Sequence, residues 1–176
     1  MSSLVEATYA NGNVIVSSQE DANALQQKGY GTKRRKKKGI ALAPYEALYL
    51  WEQGKIRVTK KHPKAELTFP ELLEEYRTGD PVVWTRYLIY KDLRDRGYVA
   101  KEGHGLGIDF EVYERGEYNL KNAKYIVFGI SEGTPTPIEK LSSILKSVEK
   151  MGKKLILAVI DRRNEIIYYW LSKLGL

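Results

Sequence analysis

The sequence predicts a mixed α+β fold in two parts: a small α+β domain over residues 1–79, then a domain over residues 80–176 whose mixed β-sheet is flanked by helices. Three observations predict it. Helical patterns fill the stretch from Ala43 to Gly97, strand-like runs crowd the stretch after it, and Gly79-Asp80-Pro81 closes one helix and opens the next where the boundary falls. With 176 residues, 43% of them hydrophobic, the chain can bury a real core, which excludes disorder throughout.

Taken in order, Leu4 to Tyr9 and Asn13 to Ser17 read as strands around Asn11-Gly12, a dipeptide that tolerates positive φ in a tight hairpin turn. Residues 19–28 read as a short polar helix ended by Gly29-Tyr30-Gly31. The run Lys33, Arg34, Arg35, Lys36, Lys37 and Lys38 is a loop, because adjacent like charges repel. "APYEALYLWEQG" has proline near its first turn, Gly54 past its last, and an apolar side made of Ala47, Leu48, Leu50 and Trp51. Thr68 and Glu71 have capping-box spacing for a second helix, and Val83, Tyr87 and Tyr90 recur at helical spacing in a third, over residues 81–96. Strands are expected at Tyr98 to Lys101, Ile108 to Glu114 and Lys124 to Ser131. Thr136 and Glu139 repeat the capping-box spacing ahead of a helix over residues 137–151, with Ile138, Leu141, Leu145 and Val148 on one face. "KLILAVI", a polar turn and a strand from Glu165 to Leu171 complete the sheet.

Composition narrows the function. Lys and Arg number 29 against 22 Asp and Glu, a formal charge of +7, which suits a polyanion such as RNA or an acidic membrane face. Without cysteine there are no disulfides or thiolate metal sites, and His62 and His104 are the only imidazoles, so no metal and no cofactor is expected. No apolar run reaches the length of a membrane span, and "MSSLVEATYANG" lacks a basic-then-apolar signal pattern, so the expected setting is soluble and cytoplasmic, with no membrane partner.

The order and spacing of "YLIYKDLRDRGYVAKEG", "GIDFEVYERG", "AKYIVFGI" and "KKLILAVID" followed by "IIYY" closely resemble the C-terminal domain of the archaeal tRNA-splicing endonucleases, over residues 84–170. The preceding hairpin and helices resemble that family's N-terminal domain. The resemblance implies a restriction-endonuclease-like sheet domain that cuts pre-tRNA at a bulge-helix-bulge, leaving a 2′,3′-cyclic phosphate and a 5′-hydroxyl. It also implies a tyrosine, a lysine and a histidine as base, phosphorane-steadying cation and acid. The tyrosine falls on Tyr113 and the lysine on Lys153, while the histidine position is taken by Asn122, and no histidine follows position 104. An amide donates a hydrogen bond but surrenders no proton near neutral pH; loss of a general acid returns about 3–5 kcal/mol of barrier.

The resemblance thus implies a structural subunit that pairs with a catalytic paralogue in an α₂β₂ heterotetramer and meets pre-tRNA without cutting it. Tyr113 and Lys153 are then vestiges; read alone, they are a packing tyrosine and a helix-end cation. Asp161 and Glu165 in "DRRNE" occupy the place of the family's acidic docking loop, although its two arginines depart from the acidic pattern. The last strand offers a pairing edge with either Ile166, Tyr168 and Trp170 or Ile167, Tyr169 and Leu171 turned to a partner chain. Lys33 to Lys38 are expected at tRNA phosphates, and Lys146 falls where the family can carry an arginine that embraces a bulged base. Two other functions compete: an active homo-oligomeric nuclease using His104 in the atypical "HGLG" or water as acid, and a plain RNA-binding module.

Overall fold

The computed structural model describes residues 4–105 and 107–173, and these form two compact units, Met1–Lys91 and Asp92–Leu176. The fold is mixed α+β, as expected.

The first unit is built on β1 (Val5–Ala10), β2 (Asn13–Val16), α1 (Gln19–Gln27), β3 (Thr32–Lys33), β4 (Ile40–Leu42), α2 (Pro44–Glu52), β5 (Ile56–Lys60), β6 (Ala65–Glu66) and α3 (Phe69–Arg77). Its sheet runs β3-β4-β2-β1-β5-β6, with only β1 and β5 parallel. The predicted hairpin forms: Ala10 sits opposite Asn13, and Asn11 and Gly12 take φ of +51° and +78°. Four short strands go beyond the sequence reading. The basic run is the turn of the β3–β4 hairpin, except that Lys33 itself closes β3. Helix α2 is buried on nearly every side, and its Glu46 is 2% exposed, its carboxylate accepting from the amides of Gly31 (3.0 Å) and Ala43 (2.9 Å). Two satisfied amides make a buried carboxylate tolerable. Helix α4 (Val83–Asp95) begins in this unit, with Val83, Tyr87 and Tyr90 buried as their spacing predicts.

The second unit carries the end of α4, then β7 (Val99–Glu102), β8 (Phe110–Tyr113), β9 (Tyr125–Ser131), α5 (Ile138–Lys150), β10 (Lys154–Ile160) and β11 (Ile166–Leu171). The sheet order is β11-β10-β9-β8-β7, with β9 and β10 parallel across α5 and every other pair antiparallel. Ile144, Leu145 and Val148 of α5 pack on Ile126, Phe128 and Leu155. The expected Thr136–Glu139 capping box does not form, because the helix opens one residue later with Pro137 at its cap. Ile138, now the first helical residue, is 71% exposed, and Ile144 joins Leu145 and Val148 in the core. Among the described residues no helix is long and apolar enough to cross a membrane.

Candidate active site

Tyr113 is the last residue of β8. It lies opposite Val99, and the alternation of the strand puts it on the same face as Glu111, which stands opposite Ile126 on the α5 side of the sheet. After Tyr113 the chain leaves the sheet and returns at Tyr125. The Lys124 amide donates to the Val112 carbonyl (3.0 Å), and the Glu114 carboxylate accepts from Lys124 Nζ and the Tyr125 hydroxyl, both at 2.9 Å. Those two bonds, Lys124's first, hold the Glu114 carboxyl below its ordinary range despite some desolvation.

The loop so closed borders a shallow, open polar cleft of about 420 Å³, lined by Tyr113, Tyr118, Asn119, Leu120, Lys121 and Asn122. The structure therefore brings Asn122 to the cleft that Tyr113 faces. Tyr118 meets the Tyr113 ring edge-on, with centroids 5.0 Å apart. Burial foremost, then the charge of Glu111 and the neighbouring Tyr118, push the Tyr113 hydroxyl above its usual pKa, so near neutral pH it carries its proton.

Lys153 is fixed where α5 ends and β10 begins. Its amide donates to the Val148 carbonyl (3.2 Å), and the next amide, of Lys154, donates to the Lys124 carbonyl (3.0 Å). Its Nζ pairs with Glu111 Oε2 at 3.3 Å, and both side chains are largely shielded, at 18% and 25% exposed. Glu111 escaped the sequence reading. The available signal was its place two residues before Tyr113, which in a strand means the same face.

His104 is exposed in the β7–β8 connection, beyond the Glu102–Phe110 pair, whereas Tyr113 ends the other side of β8. The strand between them spans about 10 Å, and His104 does not line the cleft. Leu106 of the atypical "GLG" lies outside the described residues. His62 is exposed in the β5–β6 turn of the first unit.

The remaining candidates are dispersed. Arg34 donates to the Lys38 carbonyl (3.1 Å) within the basic turn, and Lys33 and Arg35 to Lys38 are exposed. Lys146 is exposed on α5 in the second unit. In the turn after β10, Asp161 accepts from the amides of Arg163 (2.8 Å) and Glu165 (2.9 Å), and the Arg163 guanidinium reaches Glu165 at 2.9 Å and Asp161 at 3.4 Å. The Glu165 amide is the main reason the Asp161 carboxyl is held below its usual range. Among the described residues, strand β11 is an edge, paired only with β10. Its Tyr168 hydroxyl donates to Asp92 (2.8 Å), and Ile166 is half-buried on the same face. Leu171 packs toward the α5 core, while Ile167 (55%), Tyr169 (52%) and Trp170 (64%) are exposed.

Residues 83–168 match the family model described as tRNA intron endonuclease, catalytic C-terminal domain, and residues 4–73 match tRNA intron endonuclease, N-terminal domain. A tRNA-splicing endonuclease of Methanococcus vannielii is 30% identical over 172 residues, 98% of this chain and 96% of that protein. The chain belongs to the tRNA-splicing endonuclease family. Further tRNA-splicing endonucleases agree: that of Pyrococcus abyssi is 31% identical over 163 residues, 92% of each chain, and that of Thermococcus kodakarensis is 32% identical over 162 residues, 92% of this chain and 94% of that protein. Tyr113, Asn122 and Lys153 all fall inside the stretch matched to the catalytic-domain model of the tRNA-splicing endonucleases.

Proposed function

We propose that this chain is the structural, non-catalytic subunit of a heterotetrameric tRNA-splicing endonuclease, assembled α₂β₂ with a catalytic paralogue that cuts pre-tRNA at bulge-helix-bulge introns. The observation that carries the reading is Asn122, which lines the Tyr113 cleft where a proton donor is required. In the reaction the 2′-hydroxyl gives up its proton and attacks phosphorus. The bond to the 5′-oxygen breaks, and that oxygen must be protonated as it leaves. A carboxamide cannot do this. His104 offers no substitute from the other end of β8.

Two features support the assembly. The free edge of β11, with Ile167, Tyr169 and Trp170 exposed, suits strand addition by another chain. The turn bearing Asp161 and Glu165 suits docking to a basic pocket once Arg163 trades its intramolecular partners for solvent. Lys33 to Lys38, with Lys146, would meet phosphates of the folded pre-tRNA.

The test is cleavage of a bulge-helix-bulge RNA by the purified chain, alone and mixed with a catalytic paralogue from the same genome. Silence alone and stimulation on mixing is the expected result. Multiple turnovers by the chain alone overturn the reading, and failure to assemble with the paralogue points to a plain RNA-binding module.

A further inference from the structure

Lys153 is the one cation that the catalytic design would aim at the scissile phosphate, and in this molecule it already has an anion. Its backbone is pinned on both sides, by the Lys153 amide to Val148 and the Lys154 amide to Lys124, so the ammonium ranges only as far as its stem allows. Within that range stands Glu111, projecting from β8 on the same face as Tyr113, 3.3 Å from Nζ. Both side chains are at least three-quarters shielded, which strengthens the attraction relative to a fully exposed surface pair. A phosphodiester entering beside Tyr113 would meet this carboxylate as well as the ammonium, a pair whose charges cancel. Lys101 lies directly opposite Glu111 on β7, so removing the carboxylate would leave two lysines around the position.

We propose that Glu111 is a built-in counter-ion that occupies Lys153 and closes the remnant site to phosphodiesters, making Asn122 the second of two independent blocks. The proposal rests on the non-catalytic reading above and names what the vestigial site excludes. It separates two ways of losing catalysis: loss of the proton donor stops bond cleavage, whereas neutralising the cation stops the phosphate from binding at all. A subunit so arranged does not sequester the scissile phosphate that its catalytic partner must receive.

The test is a titration of the full chain with inorganic phosphate, followed by NMR of the Tyr113 ring and Lys153 side-chain signals. Glu111→Gln is expected to bind phosphate there at least tenfold more tightly than the unmodified chain. Glu111→Asp, which keeps the charge, is expected to stay weak, and adding Lys153→Gln to Glu111→Gln is expected to abolish the gain. Should Glu111→Gln fold poorly, Glu111→Thr, a good strand former, serves the same comparison. Equal phosphate affinity with and without the carboxylate, or a Glu111→Asp chain that binds as well as Glu111→Gln, overturns the proposal and leaves the non-catalytic reading intact. RNA cleavage by the unmodified chain alone would sink that reading, while the titration still judges Glu111.

Discussion

The carboxylate of Glu114 joins the two ends of the loop that forms the Tyr113 cleft, accepting from Lys124 and Tyr125 on the returning strand. Its folded-state pKa is depressed, so it contributes stability above the unfolded value of about 4.3 and loses that contribution as pH falls through the folded value. Acidification below about pH 4 is therefore expected to loosen this loop, seen as exchange broadening of the Asn122 and Lys124 amides, with Glu114→Gln showing little change over the same range. Equal acid sensitivity in both proteins would remove the clamp from the account. At this scale the sequence was informative wherever family spacing marks a position: Tyr113, Asn122 and Lys153 were all nameable, and the structure puts the first two on one cleft. Glu111's place on the Tyr113 face was legible from its spacing, but its pairing with Lys153 was not, because that partner is 42 residues away and only the sheet register brings β8 beside the end of α5. The internal pairing of Asp161 and Glu165 by Arg163 was equally hidden, since sequence shows the charges of a turn and not how the turn folds them together.

Among the elements, the basic turn between β3 and β4 is held at its base by Gly39. It takes φ of +84°, and a Cβ there would lie 2.0 Å from the Val16 carbonyl oxygen and 3.0 Å from Ser17 Cα. Both neighbours are backbone and cannot step aside. Gly39→Ala is expected to cost about 3 kcal/mol in urea denaturation, from steric overlap and left-handed strain together. A loss under about 1 kcal/mol would show that the turn is not anchored this way. Sequence patterns found the long elements and missed the short ones for a physical reason. Helices α2 to α5 each show a full turn or more of apolar recurrence, but β3 and β6 have two residues each and β4 three, too few for any period to register. Strand β5 does alternate, with Ile56 and Val58 buried, yet it stands between two helices, and its parallel partner β1 lies far back in the chain. The Thr136–Glu139 spacing misled for the converse reason. A proline at position 137 moved the cap, so the right residue types stood one position away from the backbone amides they needed.

For the molecule as a whole, the decisive quantity is what β11 leaves uncovered. One edge of that strand pairs with β10 and the other has no strand partner among the described residues, while Ile167 and Tyr169 project from the face shared with α5 and Trp170 from the opposite face. The sequence offers two alternating residue sets to a partner chain, and neither set is uniformly exposed. Each set is divided: Leu171 and Tyr168 are engaged within the chain, and Ile167, Tyr169 and Trp170 are exposed. Charge or proline commonly protects such an edge from pairing, and neither occurs between Ile166 and Leu171. The double substitution Ile167→Asp with Tyr169→Asp places two carboxylates on that edge without touching the buried core. Light scattering coupled to size exclusion is expected to show the assembled species of the unmodified chain replaced by monomer. Unfolding free energy measured on the monomer should change by no more than about 0.5 kcal/mol, the usual range for exposed positions. An unmodified chain that is already monomeric at all concentrations, or a double variant that keeps its mass, would mean that assembly does not use β11. The strand edge and the counter-ion at Lys153 can be tested separately, because the proposed role of one is to choose which chains meet and that of the other is to decide whether phosphate reaches the Lys153 ammonium.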